Sequence, residues 1–288
     1  MERETHNILN QDDLLPYTLT KGGGLIVFSG PHNGHAVPSA LKPCMGMCPD
    51  WFKKAHEAAD LNVATLFESL KTKINDANYI AGNYSRLVCD LNAMPDYAIT
   101  RISPENADIK IPENQADSCC AEQRIRRIEE IYWPYHDAKK RLIQETRARH
   151  KGAIVLDLHS FTPTWAQKKR DVEIGTIRCE KTPLSRALEE YLKEQNHYHF
   201  VSGEPYRVAE RPSNAAPLIS DYNDLQYLGI EIRNDLIEAP DGVEKMTNFL
   251  AICLDKLLNH KNLDTITAPR SQINIEQKTT RPQAGWSI

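Results

Sequence analysis

The sequence predicts an α/β protein, a single three-layer α/β/α domain built on a mixed, mostly parallel sheet. Three observations predict it. Short apolar runs without helical period, such as Leu25-Ile26-Val27-Phe28 and Ile154-Val155-Leu156-Asp157-Leu158, read as strands buried on both faces. These runs alternate with segments whose apolar residues recur at steps of three and four, as on amphipathic helices. Neither an internal repeat nor a Gly/Ser linker divides the 288 residues, a length that one large α/β domain fills. We therefore expect an N-terminal lead-in over 1–23, the domain over 24–260 and a loosely attached tail over 261–288.

Taken in order, the polar stretch 1–22 ends at Lys21-Gly22-Gly23-Gly24, and the first strand opens into the loop Pro31-His32-Asn33-Gly34-His35. From Trp51 to Thr72, Phe52, Ala55, Ala59, Val63, Leu66 and Leu70 predict a helix, on which His56 and Asp60 project side by side. Tyr79 to Asn92 reads as one or two strands, and 93–120, with Pro95, Pro104 and Pro112, as a long loop. A helix over 121–150 places Ile125, Ile128, Ile131 and Tyr135 inward and its arginines and glutamates outward, with a kink at Pro134. The strand at Ile154 follows, then a strand over Asp171–Ile177. Thr182 caps a helix with Pro183 at its first position, running to Gln195. His199-Phe200-Val201 is a short strand, 202–222 a loop, 228–233 a strand, and 241–259 a helix.

Composition narrows the function. Hydrophobic residues at 41% and charged residues at 26% describe a globular protein with a sizeable core. A net charge of -4 exerts no global pull toward nucleic acid or anionic membranes. The start, Met1-Glu2-Arg3-Glu4, lacks the basic head and apolar core of a signal peptide, and no run approaches the ~20 apolar residues that span a bilayer, so a cytoplasmic location is expected. The seven cysteines fit no disulfide framework and read as reduced thiols, with Cys44 and Cys48 a remote metal pair. No GxGxxG, Walker loop or GxSxG is present, so nucleotide binding and elbow-type serine hydrolysis lack support.

In open α/β sheets the ligand crevice lies beyond the carboxyl ends of the strands. His32 and His159 each follow a buried strand there, and Glu231 lies between two isoleucines, where an unpaired charge costs several kcal/mol. Two imidazoles and a strand-borne glutamate form the constellation of a zinc hydrolase, although another divalent metal would suit the same donors. The third ligand is either Asp60 or His35. Glu231 would act as general base and acid. Arg86 and Arg233, near strand ends, would clamp a substrate carboxylate or else pair with Asp90 and Asp235. Asp157, two residues from His159, would orient that imidazole.

The chain resembles the N-formylglutamate amidohydrolase family, in particular its branch of predicted members, through Tyr84-Ser85-Arg86-Leu87-Val88-Cys89-Asp90, His159-Ser160-Phe161-Thr162-Pro163 and Glu231-Ile232-Arg233-Asn234-Asp235-Leu236-Ile237. Pro31-His32-Asn33-Gly34, Ile111-Pro112-Glu113-Asn114, Pro134-Tyr135-His136 and Glu204-Pro205-Tyr206 are also similar, in order from about 24 to 240. The resemblance implies a zinc-carboxypeptidase-like (phosphorylase/hydrolase-like) fold, hydrolysis of the C–N bond of a small N-acyl amino acid, and a role in amino-acid breakdown. It implies metal ligation by His32, Asp60 and His159 and acid/base work by Glu231; Asn92, beside Arg86 and Arg233, is expected to bind substrate. Two departures stand out. The family's Asp-x-Asn-Arg reads Asp90-Leu91-Asn92-Ala93, so Arg101 or Arg211 would have to replace the missing arginine, and Pro31 precedes His32 where this branch often has an aspartate. Competing readings are a hydrolase of another amide, such as a peptide or cell-wall fragment, and a non-catalytic binding protein, which Ala93 favours.

Overall fold

The computed structural model describes residues 8–41, 56, 58–99, 114, 121–165, 167–206 and 216–273. Its strands are β1 (Tyr17–Thr20), β2 (Ile26–Gly30), β3 (Asn78–Gly82), β4 (Ile154–Phe161), β5 (Thr164–Trp165), β6 (Lys168–Lys169), β7 (Ile174–Ile177), β8 (Phe200–Ser202) and β9 (Leu228–Arg233). Seven of them form one sheet in the order β1-β3-β2-β4-β9-β7-β8, and β5 and β6 form a separate antiparallel hairpin. Within the sheet β3, β2, β4 and β9 run parallel, β1 is antiparallel to β3, and β7 is antiparallel to β9 and parallel to β8. The expected mixed, mostly parallel sheet is borne out.

Its helices are α1 (Val63–Lys73), α2 (Ala121–Arg127), α3 (Trp133–His150), α4 (Pro183–Glu194), α5 (Ala216–Asn223), α6 (Pro240–Leu258) and α7 (Leu263–Thr267). Strand alternation sends Ile26, Phe28, Leu156, Leu158, Ile230 and Ile232 to the face covered by α1, α4 and α6. Val27, Val155 and Ile177 join the core on the opposite face with Tyr135, Ala138 and Leu142 of α3. Each large apolar side chain buried this way contributes about 1.5–3 kcal/mol, which fixes the strands and hence whatever stands at their ends. Thr182 caps α4 as expected: its hydroxyl accepts the Ser185 N–H at 3.2 Å while Ser185 Oγ accepts the Thr182 N–H at 2.9 Å.

Several local expectations are corrected. Of the helix expected over 51–72, the described residues show α1 from Val63, after Asn62 in the left-handed region at φ 67°, so Asp60 stands in the turn before it and His56 outside α1; residues 51–55 and 57 lie outside the described ones. Strand β3 ends at Gly82, and Tyr84–Asn92 turns instead, because Ser85 takes the Val88 and Cys89 N–H groups and bonds the Ala58 carbonyl at 2.7 Å. A π-helical turn over Ile128–Tyr132 separates α2 from α3 and shifts the helical register, which leaves Ile125 55% exposed while Ile131 and Tyr135 are buried. Arg127, expected outward, is fully buried against Asn114 Oδ1 at 2.6 Å and the Val88 carbonyl at 3.3 Å. The loop expected over 202–222 contains α5. At the ends, β1 belongs to the sheet, and residues 262–273 dock through buried Ile266 and the Arg270 pair with Glu180 at 2.8 Å.

Candidate functional site

Three parallel strands deliver the site. The loop after β2 carries His32, and it lies close against the next crossover: a Cβ at Gly34 would overlap the Asn83 backbone, and Ala36 donates to the Asn83 carbonyl at 3.2 Å. The His32 carbonyl accepts the Asp60 N–H at 2.9 Å, so the loop also holds the segment before α1. On β4, His159 faces the same side as Asp157, and its register neighbour on β9 is Glu231. Short apolar strands pin all three positions.

The side chains converge. Asp60 Oδ2 accepts from the Ser160 N–H at 3.2 Å and lies 2.9 Å from His159 Nδ1 and 3.6 Å from His32 Nδ1. The two imidazole rings meet edge to face with centroids 5.2 Å apart. Buried His32, Asp60 and His159 each offer one ligand atom, and these atoms lie within 4.8 Å of one another. His32 Nε2 donates to Asp90 Oδ1 at 2.7 Å, which leaves Nδ1 of the neutral ring as a lone pair, and that nitrogen has no hydrogen-bond partner. A carboxylate behind a histidine in this way is the usual support of a metal ligand.

Electrostatics keep the carboxylates ionised. Burial alone would raise the Asp60 carboxyl, yet Arg86 foremost, then His32 and His159, hold it well below the ordinary carboxylate range. Asp90 is likewise lowered against its burial, chiefly by His32. For His32, burial and Arg86 press the pKa down, and the carboxylates of Asp90 and Asp60 outweigh them, so the net direction is up. His56 is the contrast: burial first, then Arg86, take it down to about 3, and it stays neutral. The donor set of two nitrogens and one carboxylate oxygen, with an orphaned lone pair aimed at it, fits a divalent metal such as zinc.

A cavity of about 50 Å³ opens on this cluster, lined among others by His32, Asp60, His159, Glu231, Arg86 and Asn92. Of the residues singled out in the sequence, these six come together. Arg86 contacts Asp60 and donates to the His56 carbonyl at 3.0 Å. Asn92 Oδ1 is buried without a hydrogen-bond partner. Arg233 does not line the cavity: its guanidinium bonds Asp235 at 2.8 Å, the Arg170 carbonyl at 3.2 Å and Glu173 at 3.4 Å. His35 is exposed and lines a different depression, beside Glu68 and Lys71.

Asp157 does not orient His159. It accepts from Lys139 Nζ at 2.6 Å, and the His159 Nδ1 it would have served goes to Asp60. Ala93, at the family's arginine position, is 6% exposed, and its carbonyl takes the Tyr132 hydroxyl at 3.0 Å. Cys44, Cys48, Arg101 and Arg211 lie outside the described residues. Sequence reasoning paired Asp90 with Arg86 and missed its bond to His32; the Asp-x-Asn spacing, which lets Asp90 also take the Asn92 N–H at 2.8 Å, was the available signal.

A three-layer α/β domain that collects two histidines, an aspartate and a glutamate toward the carboxyl ends of its parallel strands belongs to the architectural class in which metal-assisted hydrolases are found. The sequence profile of the N-formylglutamate amidohydrolase family matches residues 25–238, and the chain belongs to that family of amidohydrolases. Among solved structures it is similar to a gene product of Agrobacterium tumefaciens, with 24% identity, a TM-score of 0.78, and coverage of 88% of this chain and 98% of that one. It is also similar to N-formylglutamate amidohydrolase from Ralstonia eutropha JMP134, with 20% identity, a TM-score of 0.63, and coverage of 83% and 96%. None of the curated proteins matches the chain in sequence.

Proposed function

We propose that this protein is a zinc-dependent amidohydrolase that cleaves the C–N amide bond of a small N-acyl, N-formyl-like amino acid. One observation carries the reading: His32, Asp60 and His159, from three separated segments, bring ligand atoms within 4.8 Å of one another beside the buried carboxylate of Glu231. His32 Nδ1, Asp60 and His159 Nδ1 would hold the metal, with Asp90 fixing the His32 tautomer. A bound zinc ion supplies Lewis-acid polarisation of the scissile carbonyl and acidifies water. Glu231 accepts the proton of the attacking water and returns it to the leaving nitrogen, so the amine departs neutral. Asn92, with its unpartnered amide oxygen, faces the cavity as a hydrogen-bond acceptor for the substrate N–H. Arg86, committed to Asp60, keeps that carboxylate anionic and supports the cluster.

The R. eutropha relative bears the name of such an enzyme, which supports the acyl class but not the particular amino acid. Among the described residues no helix is long and apolar enough to cross a membrane, and the proposal takes the enzyme to be cytoplasmic. Incubating the zinc-loaded protein with N-formyl, N-acetyl and longer N-acyl amino acids should release the free amino acid from at least one short-acyl member. Turnover confined to peptides or cell-wall fragments would relocate the substrate. A second reading, a binding protein without turnover, is favoured by the packing of Ala93 against Tyr132, and a protein that holds the metal yet hydrolyses no amide would establish it.

A further inference from the structure

On the reading above, the substrate brings a carboxylate to the cavity, and a cation must meet it. Two of the arginines among the described residues near the sheet's carboxyl edge are already engaged. Arg86 is held by Asp60, and Arg233 by Asp235 and Glu173. Arg170 differs. It follows the β5–β6 hairpin that springs directly from β4, and its hydrogen-bond partners are all neutral. Nη1 donates to the Thr162 carbonyl at 3.1 Å and lies 3.5 Å from the Thr162 hydroxyl, and both Nη atoms lie 3.3 Å from the Tyr206 hydroxyl. No carboxylate among the described residues pairs with it.

The guanidinium is stacked among three rings, with centroids at 5.0 Å for Trp165, 5.2 Å for Tyr206 and 5.3 Å for Phe161. Aromatic faces hold a cation in place while leaving its N–H fork without an anion, which is the condition of a preorganised carboxylate receptor. Arg170 is not itself among the residues lining the cavity, and two of these rings tie it to the site. Phe161 is on β4 two residues beyond His159, on the same face, and Tyr206 lines the cavity with His159 and Glu231.

We propose that Arg170, boxed by Phe161, Trp165 and Tyr206, is the substrate-carboxylate receptor of this site, and that it selects N-acyl amino acids with a free carboxylate over their neutral amides. The inference rests on the amidohydrolase reading for the identity of the ligand, but binding tests it apart from turnover. Calorimetry would use the full chain loaded with zinc and carrying Glu231→Gln, titrated with N-formyl-L-glutamate and with the analogue in which both carboxylates are amidated. The expected result is at least about tenfold tighter binding of the dicarboxylate, because each charge-assisted bidentate pair is strong. Adding Arg170→Gln should remove most of that preference while leaving diamide affinity within about twofold, and Arg170→Lys should fall between, since lysine keeps the charge and loses the fork.

Equal weakening of both ligands by Arg170→Gln, with Arg170→Lys no better, would assign the residue a packing role and overturn the proposal. Unchanged preference in Arg170→Gln, or no binding of the dicarboxylate by the parent, would also overturn it. The two readings fail separately. A wild-type protein that hydrolyses no amide, yet loses its carboxylate preference with Arg170, refutes the amidohydrolase and leaves the receptor standing.

Discussion

Strand β4 carries two buried polar clusters two residues apart, and they differ in kind. At Asp157 the charge is matched: Lys139 Nζ lies 2.6 Å from its Oδ1, both side chains are 1% exposed, and nearby Ser29 and Tyr135 share a hydrogen bond of 2.8 Å. At His159 several groups gather around one arginine, Arg86, which pairs with Asp60. Asp60 and Asp90 flank His32, Glu231 stands in register with His159, and Nδ1 of His32 lies 3.6 Å from the Asp60 carboxylate. Burying charge is therefore no mark of function in this protein. Ligand atoms of two histidines and an aspartate gathered within 4.8 Å of one another are such a mark.

The comparison can be broken or sharpened by experiment, the largest effect first. Glu231→Gln should lower turnover by about 10²–10⁴-fold, the usual contribution of a general base, with zinc content unchanged. Steady-state rates together with metal analysis check this; a variant that loses its zinc would make Glu231 a ligand instead. Lys139→Met at the inner cluster should cost about 3–5 kcal/mol of stability by leaving Asp157 buried alone, read from urea unfolding. The double variant Lys139→Met/Asp157→Leu should regain most of it. If Lys139→Met changed zinc affinity and not stability, the two clusters would not be distinct.

Asp90→Asn should weaken zinc binding by about 10–100-fold, because the His32 tautomer loses its anionic anchor, and competition with a chelator measures it. The smallest effect is one of pH. His136, buried between the sheet and α3, donates to the Leu91 carbonyl at 3.1 Å, and burial and then Lys139 lower it to about 3. Its folded pKa lies below the unfolded value of 6.5, so between the two the unfolded chain binds the extra proton and stability falls as pH falls. The slope is at most about 1.4 kcal/mol per pH unit for this group. His136→Gln, which keeps a donor for Leu91, should flatten the stability profile of the metal-free protein below pH 6.5, and an unaltered profile would mean that His136 titrates alike in both states.

What was legible in the sequence follows from where the information lies. β2, β4 and β9 are buried on both faces, so their composition alone declares them, and residues that end such strands stand at the crevice by topology. His32 was visible in that way; His159 was too, although β4 runs on past it to Phe161, and Glu231 showed as a carboxylate between two isoleucines within β9. Asp60 was visible as a residue type but not by its backbone, since the turn at Asn62 that separates it from α1 depends on contacts with the His32 loop and with the Asn234 carbonyl, 172 residues away. Asp90 and Arg170 were harder still. A carboxylate looks the same in sequence whether it serves a histidine or an arginine, and an arginine shows no sign there of being ringed by three aromatic side chains. Strand β1 was missed because it is a half-buried edge strand with no continuous apolar run, and Ile125 because a π-helical turn breaks the 3.6-residue period that had placed it inward.

The most direct test of the central claim is the zinc content of the full chain after dialysis, compared with that of the His32→Ala/His159→Ala double variant. The account predicts about one zinc ion per wild-type chain and none in the double variant, with both proteins folded by circular dichroism. Equal zinc in the two, or amide hydrolysis by a wild-type protein stripped of all divalent metal, would contradict it.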